Sequence, residues 1–164
     1  MNYLRSLRPS DFHFLEKIEN DPQFMKYGEF HLPFTAFQLK EFIANSHKNI
    51  RESHQYRYVI EYEKEAVGFL DLFDYEPKTN GAFVGIIVVP GHRNKQIAYK
   101  SLLELEVICL RDWGISILKA QIGSENLPSI QLFKKLNYQN HKRAEIVESP
   151  SVNKPLLIFE KTLI

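Results

Sequence analysis

Four residues, His92-Arg93-Asn94-Lys95, stand between an all-apolar run, Ile86 to Val89, and an amphipathic helical pattern, with Pro90-Gly91 at the break. The first turn of a helix leaves about four amides unpaired and carries roughly half a positive charge. A loop folded back over such amides makes an anion site that needs few side chains. Arg93, Lys95 and Lys100 add mobile positive charge beside it. Pro90 and Gly91 end the strand abruptly and leave the backbone of Val88 and Val89 near the loop. The ligand suited to this stretch has a phosphate-rich end and an extended arm that lies along a strand. A solvated basic turn between strand and helix accounts for the same residues on physical grounds alone. Neither the Gly-x-x-x-x-Gly-Lys-Ser/Thr phosphate loop nor the Gly-x-Gly-x-x-Gly dinucleotide loop occurs.

Those residues need a scaffold, and the pattern supplies one. "YLRSLRP" predicts a first strand ended by Pro9, and Ser10 or Asp11 can cap a short helix through about Asn20. Pro22 starts another turn, and Thr35 with Gln38 forms a capping box for a helix from about Ala36 to Ser46. Strands at about 56–62 and 66–74 are joined by the polar Glu63-Lys64-Glu65 turn. Asn80-Gly81 turns into the strand Ala82–Val89, completing an antiparallel meander. A helix over Ala98–Trp113 places Ala98, Leu102, Leu105 and Cys109 on one face and closes at Gly114. "SILKAQI" reads as a buried strand, and "NLPSIQLFKKLNY" as a helix with Pro128 in its first turn and Asn137 at the left-handed exit. "EIVES" and "PLLIFEKTL" close the sheet. The order β-α-α-β-β-β-α-β-α-β-β describes an α+β layer structure, a mixed and mostly antiparallel sheet with flanking helices.

Composition narrows the function. At 164 residues the chain fits one domain, 1–164, with a real core. A net charge of +1 argues against a general nucleic-acid binder. The apolar runs fall far short of the roughly 18 to 20 residues that span a bilayer, and "MNYLRSLRPSD" has no apolar signal segment, so no membrane association is expected. The single cysteine, Cys109, excludes an internal disulfide and a cysteine metal cluster, which makes a reducing cytoplasm the natural setting. The six histidines show no His-x-x-x-His or His-x-His spacing, so no metal is expected. Cys109 lies mid-helix on the apolar side, a core position rather than a nucleophile.

"VVPGHRNKQIA" resembles the acetyl-CoA signature of the GNAT acetyltransferase superfamily, and "ENLPSIQLFKKLNY" is similar to that family's Asn-x-x-Ser/Ala…Leu-Gly-Phe segment. The element order also matches, over nearly the whole chain. In layout, "LRPSD…NDPQFMKYGE" and "YVIEYEKEAVGFLDL" look closest to the polyamine N-acetyltransferases and the N-acetyltransferases of ribosomal-protein N-termini. The resemblance implies that Ile87, Val88 and Val89 pair with the pantetheine arm of acetyl-CoA, and that the amides of Arg93, Asn94, Lys95, Gln96, Ile97 and Ala98 hold its pyrophosphate. It further implies that Asn126 bonds the pantetheine, with Ser129 a weaker contact. A plain helix cap also explains Asn126, and the two roles coexist.

Departures from the pattern touch the chemistry. Gln96 replaces a motif glycine, which is tolerable if the backbone there is already helical, and Leu136-Asn137-Tyr138 replaces Leu-Gly-Phe. Phe133 stands where many relatives carry a tyrosine that protonates the leaving thiolate, and Phe83 where a glutamate base is common. Transfer nonetheless needs only a neutral amine, an oxyanion donor such as the amide of Val88 or Val89, and a departing thiolate. Orientation of the two reactants supplies roughly 7 to 11 kcal/mol in favourable cases. An alkylamine with a pKa of about 10.4 is nearly all protonated at pH 7, while an α-amine at about 7.7 to 8.0 is not. The missing base therefore weighs most on a polyamine. A water chain, Glu29, His31, Asp71 or Asp74 are the candidate substitutes, each equally explained as a solvated residue.

The resulting expectation is an N-acetyltransferase that moves an acetyl group from acetyl-CoA to a primary amine (an α-amine, amino sugar or polyamine, small or peptidic) by direct attack in a ternary complex. The alternative is an acyl-CoA-binding module without turnover. A homo-oligomer is compatible with either. Phe24, Tyr27, Phe30 and Phe34 fall where the superfamily builds its acceptor lid, although a loop pinned to the core by aromatics explains them equally.

Overall fold

The period of the side chains decides which strands are covered on one face and which on two. The computed structural model describes residues 2–25, 32–141 and 155–164. Within them β1 (Leu4–Ser6), β2 (Tyr56–Tyr62), β3 (Glu65–Glu76), β4 (Gly81–Val88), β5 (Ile117–Gly123), β6 (Gln139–Asn140) and β7 (Leu156–Thr162) form one sheet, ordered β1-β2-β3-β4-β5-β7-β6. Every neighbouring pair is antiparallel except β4 with β5. The helices are α1 (Phe12–Glu19), α2 (Pro22–Met25), α3 (Ala36–Asn45), α4 (Ile50–Ser53), α5 (Ile97–Ile108) and α6 (Leu127–Lys135). This is the mixed, mostly antiparallel α+β arrangement expected from the sequence.

Two cores sandwich the central strands. On one face Leu102, Leu105 and Cys109 of α5 and its extension, with Ile130 and Phe133 of α6, pack on Leu70, Leu72, Leu118, Ala120, Ile122 and Phe159. On the other, Leu15 and Ile18 of α1 and Leu39 and Ile43 of α3 pack on Val59 and Phe69. Consecutive residues such as Val59-Ile60 and Phe69-Leu70 are therefore buried on opposite faces, which is why β2 and β3 read as continuous apolar runs. Each fully buried aliphatic or aromatic side chain contributes about 1.5–3 kcal/mol.

Local chemistry sets the joints. Thr35 Oγ1 accepts from the Gln38 amide (3.2 Å) and Gln38 Oε1 from the Thr35 amide (2.9 Å), completing the capping box. Glu63 and Lys64 both take left-handed angles, φ 51° and 68°, in the turn from β2 to β3, the geometry that matches the twist of the flanking strands. Gly68 is required by space. A Cβ there would run into the carbonyl of Ile87, so β3 and β4 approach more closely than any side chain permits.

Two elements differ from the sequence reading. The helix expected through Trp113 is α-helical only to Ile108, and Cys109–Trp113 widens into a π turn. Arg51 Nη2 donates to the Trp113 carbonyl (2.9 Å), and Gly114 leaves at φ 63°. The short α4 has no apolar period to announce it; Asn49 starts it by accepting the Arg51 amide (2.9 Å). The strand expected at "EIVES" lies outside the described residues.

Asp11 ties β1 to α1. It is buried and accepts from both Arg5 terminal nitrogens (2.8 Å each) and from the Arg8 amide (2.7 Å). Burial alone would raise its carboxyl, but the Arg5 guanidinium and the Arg8 amide outweigh that and hold it below the ordinary carboxylate range. Stability from this group is thus complete above the unfolded-state pKa, about 3.9, and is lost as pH falls through the lower folded value. Asp11→Asn should lower the urea midpoint at pH 7, and its deficit against wild type should narrow steadily below about pH 4. A deficit independent of pH would contradict this linkage.

Candidate active site

Parallel pairing of β4 with β5 covers only Gly81↔Ile117, Ala82↔Leu118 and Phe83↔Lys119. Beyond Phe83 the strands part. β4 continues on β3 as far as Gly68↔Val88, and β5 continues on β7 as far as Gly123↔Leu156. Val84 to Val88 therefore present an unpaired edge to a wedge-shaped opening.

Alternation of the ladder assigns the groups on that edge. The Val89 amide donates to the Val67 carbonyl (2.9 Å), so Val88 turns its own amide and carbonyl the other way, into the wedge. The Val88 carbonyl accepts from Arg93 Nε at 2.9 Å. Of the two amides considered for an oxyanion, Val89's is thus already engaged and Val88's faces the opening.

The strand then passes through the 3-10 turn Pro90–His92 into a loop with two left-handed residues, Asn94 at φ 61° and Gln96 at φ 60°. The Arg93 amide donates to the Pro90 carbonyl (3.2 Å), unlike the free amide expected there. Among the described residues, the amides of Asn94, Lys95, Gln96, Ile97, Ala98 and Tyr99 make no hydrogen bond within the chain; the helix ladder begins with Lys100 N to the Gln96 carbonyl at 3.0 Å. Successive N–H groups without partners at a helix mouth form an anion-binding concavity. Gln96 is not helical, contrary to the condition that would make it an easy replacement for glycine; it holds a conformation that costs a side-chain-bearing residue roughly 1–2 kcal/mol.

Across the wedge, Asn126 caps α6, its Oδ1 accepting the Ser129 amide at 3.4 Å. Its side-chain nitrogen has no partner among the described residues, which leaves a donor beside the opening. Phe133 is 3% exposed and packs edge-on against Tyr138, 5.0 Å between centroids, in the core under α5. Cys109 is buried beside it, and burial with Glu106 nearby pushes its thiol up to about 12, so it is no nucleophile at neutral pH.

The last paired residue of β4, Phe83, points to the face carrying α1 and α3, where it stacks on Phe73 at 5.7 Å. Asp71 shares that face one pleat along β3. Both its oxygens are held by Arg57, Nε at 2.6 Å and Nη2 at 2.7 Å, and Arg57 Nη1 bonds Glu19. A cavity of about 200 Å³ opens here, lined by Phe42, Ser46, Tyr56, Arg57, Asp71 and Phe73 among others. Asp74 is exposed on the bulge that follows Phe73. Glu29, His31, Tyr27 and Phe30 lie outside the described residues, while Phe24 and Phe34 belong to the core under α1 and α3. Three residues without a motif also join this face: Lys119 Nζ lies 5.8 Å from the Phe83 centroid, Glu160 lies 3.8 Å from Lys119, and His141 lies 3.2 Å from Glu160. Only the β5–β7 and β6–β7 pairings unite them, which no local signal reports.

Among the described residues no group of three or more His, Cys, Asp or Glu side chains is placed to hold a metal, and no helix is long and apolar enough to cross a membrane.

Residues 3–139 match the sequence model of the acetyltransferase (GNAT) domain. The spermidine N(1)-acetyltransferase of Vibrio cholerae is 24% identical over 173 residues, covering 92% of this chain and 95% of that protein. That of Escherichia coli is 24% identical over 140 residues, covering 82% and 71%. The fold is shared with the V. cholerae spermidine N-acetyltransferase solved with CoA and spermine (TM-score 0.82, 18% identity, 98% and 94% covered). It is shared also with RimL, a ribosomal-protein alpha-N-acetyltransferase solved with coenzyme A (TM-score 0.85, 14% identity, 98% and 93% covered).

Two substitutions probe the loop. Ala98→Asp puts a carboxylate among the free amides and should abolish measurable CoA binding in calorimetry, whereas Arg93→Ala should weaken it less. Gln96→Gly should raise stability by up to about 1 kcal/mol by relieving the left-handed angle and leave CoA affinity within a few-fold; a loss of stability in urea titration would count against the strained loop.

Proposed function

The chain belongs to the GNAT acetyltransferase family and is an acetyl-CoA-dependent N-acetyltransferase, and from this premise we propose that its acceptor is a polyamine-type cation, with a second ammonium held at Asp71. The observation that carries the reading is the cavity beside Phe73. It places Asp71, with Ser46 and Phe42 on its wall, one strand from the end of the β4–β5 pairing. Asp71 is the more exposed member of its pair with Arg57, 27% against 15%, so its remaining lone pairs are open to a cation. The spermidine acetyltransferases at 24% identity support the same class.

Each part of the transfer then has a residue. The amides of Asn94 to Tyr99 bind the CoA pyrophosphate, and the unpaired edge of β4 with Asn126 holds the pantetheine. The thioester lies in the wedge with its carbonyl oxygen toward the Val88 amide. The acceptor nitrogen, once neutral, attacks the carbonyl carbon, and the Val88 amide stabilises the oxyanion. Collapse breaks the C–S bond, and the thiolate takes the second proton from nitrogen. A free thiol has a pKa of about 8.5, so the sulfur leaves without a strong acid, consistent with Phe133 at the usual tyrosine position. A second reading, an α-amine acceptor, is favoured by Lys119, whose charge beside Phe83 disfavours an incoming cation.

Thiol release from acetyl-CoA decides between them when spermidine, an unblocked peptide and an amino sugar are compared. Spermidine should have the highest kcat/KM. Asp71→Asn should raise the spermidine KM about tenfold or more, as expected for a lost charge-assisted hydrogen bond, with the acetyl-CoA KM unchanged. Preference for the peptide would establish the α-amine reading, and CoA binding without turnover on any amine would refute both. Self-association belongs to the same proposal. Leu103, Val107 and Leu110 leave an apolar row exposed along α5 and its extension, and light scattering should find more than one copy per particle.

A further inference from the structure

A glycine inside a strand weakens it, and persists where a turn, a close backbone approach or a ligand needs the space of a side chain. Among the described residues four glycines lie in strands: Gly68, Gly81, Gly85 and Gly123. Gly68 is explained by the Ile87 carbonyl against it. Gly81 opens β4 straight after the left-handed Asn80, and a Cβ on it would come within 3.3 Å of Thr79 Oγ1. Gly85 and Gly123 have no such reason. Neither takes a left-handed angle. A Cβ on Gly85 would first meet the Phe73 ring at 3.6 Å, an ordinary contact. One on Gly123 would meet nothing within 4 Å among the described residues.

Both glycines belong to the wedge, one on each rim, and both face the same way. Gly85 pairs with Asp71 and so shares the face of α1 and α3. Lys119 pairs with Phe83 on that face, and Gly123, further along β5 by an even number of residues, returns to the same side. Ala120 and Ile122 between them are buried in the opposite core. Counted from the last pair, Phe83↔Lys119, Gly123 stands at the height of Ile87, next to the Val88 amide. Gly85 lies lower, on the β4 rim.

The face decides what can use this space. α5 and α6, which supply the free amides and Asn126, both pack on the other side of the sheet. The acyl donor fills the wedge from there, and its thioester is reached from the α1 and α3 side, across whatever the two rims carry.

We propose that Gly85 and Gly123 are specificity-determining residues: the side chains they lack form the passage through which the acceptor's carbon chain reaches the thioester, and set its width. Gly123 borders the carbons next to the reacting nitrogen, and Gly85 the part of the chain that continues toward Asp71. A substituent beside the nitrogen is accommodated by the room at Gly123, and a side chain added there restricts the passage to unbranched amines. This rests on the acetyl-transfer reading but not on the polyamine as acceptor.

The test is calorimetry with three probes that require no turnover. One is CoA. The others are CoA alkylated on sulfur by an iodoacetamide whose nitrogen carries a butyl or a branched 1-methylpropyl group. Each adduct sets an amide beside the sulfur and a carbon chain in the acceptor's place. A single methylene in a fitted pocket changes affinity about 10- to 200-fold. Gly123→Val should therefore weaken the branched adduct about tenfold or more, the butyl adduct less, and CoA itself not at all. Gly85→Ala should weaken both adducts in the same direction but by less. Neither variant should lower the urea midpoint, because each replaces a strand glycine where a Cβ has room. Weakening of CoA to the same degree as the adducts, unchanged binding of both adducts, or a lowered midpoint in Gly123→Val would overturn the assignment. Failure of the acetyl-transfer reading shows separately, as wild type that releases no thiol from acetyl-CoA with any amine.

Discussion

The rest of the molecule depends on one parallel pairing that stops after three residues. Strands that share a sheet normally keep their backbone groups satisfied to the end, yet β4 and β5 separate above Phe83 and Lys119. Each strand stays anchored on its outer neighbour, β3 for one and β7 for the other, so the parting costs the sheet only the bonds it would have made across the wedge. Those missing bonds leave a backbone edge that a peptide-like arm can complete. The edge leads without interruption into the amides at the mouth of α5. A linear ligand with amide groups along its length and phosphates at one end meets complementary backbone at every step, which explains how so few side chains suffice.

Charge on the two sides of the sheet is arranged differently. The core under α5 keeps its ionic groups to the periphery, Lys161 with Glu106 at 2.7 Å. The opposite face carries Arg57 between Asp71 and Glu19, its guanidinium 4.9 Å from the Phe69 centroid and 5.3 Å from that of Phe42. Two carboxylates on one guanidinium leave the cluster with one net negative charge. That residual charge borders the cavity beside Phe73 and lies across β4 from Lys119. Opposite signs thus flank the end of the wedge, and an acceptor entering there meets a field that orients it before any contact is made.

Much of this was legible because it is local. Val-Val-Pro-Gly followed by a basic knot locates the strand end and the helix mouth, Thr35 with Gln38 locates a cap, and Asn126 three residues before Ser129 locates another. The expectation of an anion site rests on the same local logic. What escaped depends on pairing between distant residues. The parting of β4 and β5 leaves no mark in either strand, since Val84 to Val88 would be just as apolar if fully paired. The conjunction of Lys119, Glu160 and His141 exists only through register. Gln96 could not be assigned its left-handed angle from its type, because nothing about glutamine favours it. The engagement of the Val89 amide with Val67 likewise follows from ladder phase, which one residue of slip would reverse.

The contact between Arg93 and the Val88 carbonyl has a bearing on solubility. An open strand edge is a template on which another chain can add a strand, and proteins usually protect such edges with charge or a bulge. Here the exposed edge lies inside the molecule's own cleft, and the group that faces it is a guanidinium five residues along the same chain. That cation occupies an acceptor an invading strand would need and places a positive charge in its path. The arrangement lets the edge remain unpaired without becoming a seed for aggregation.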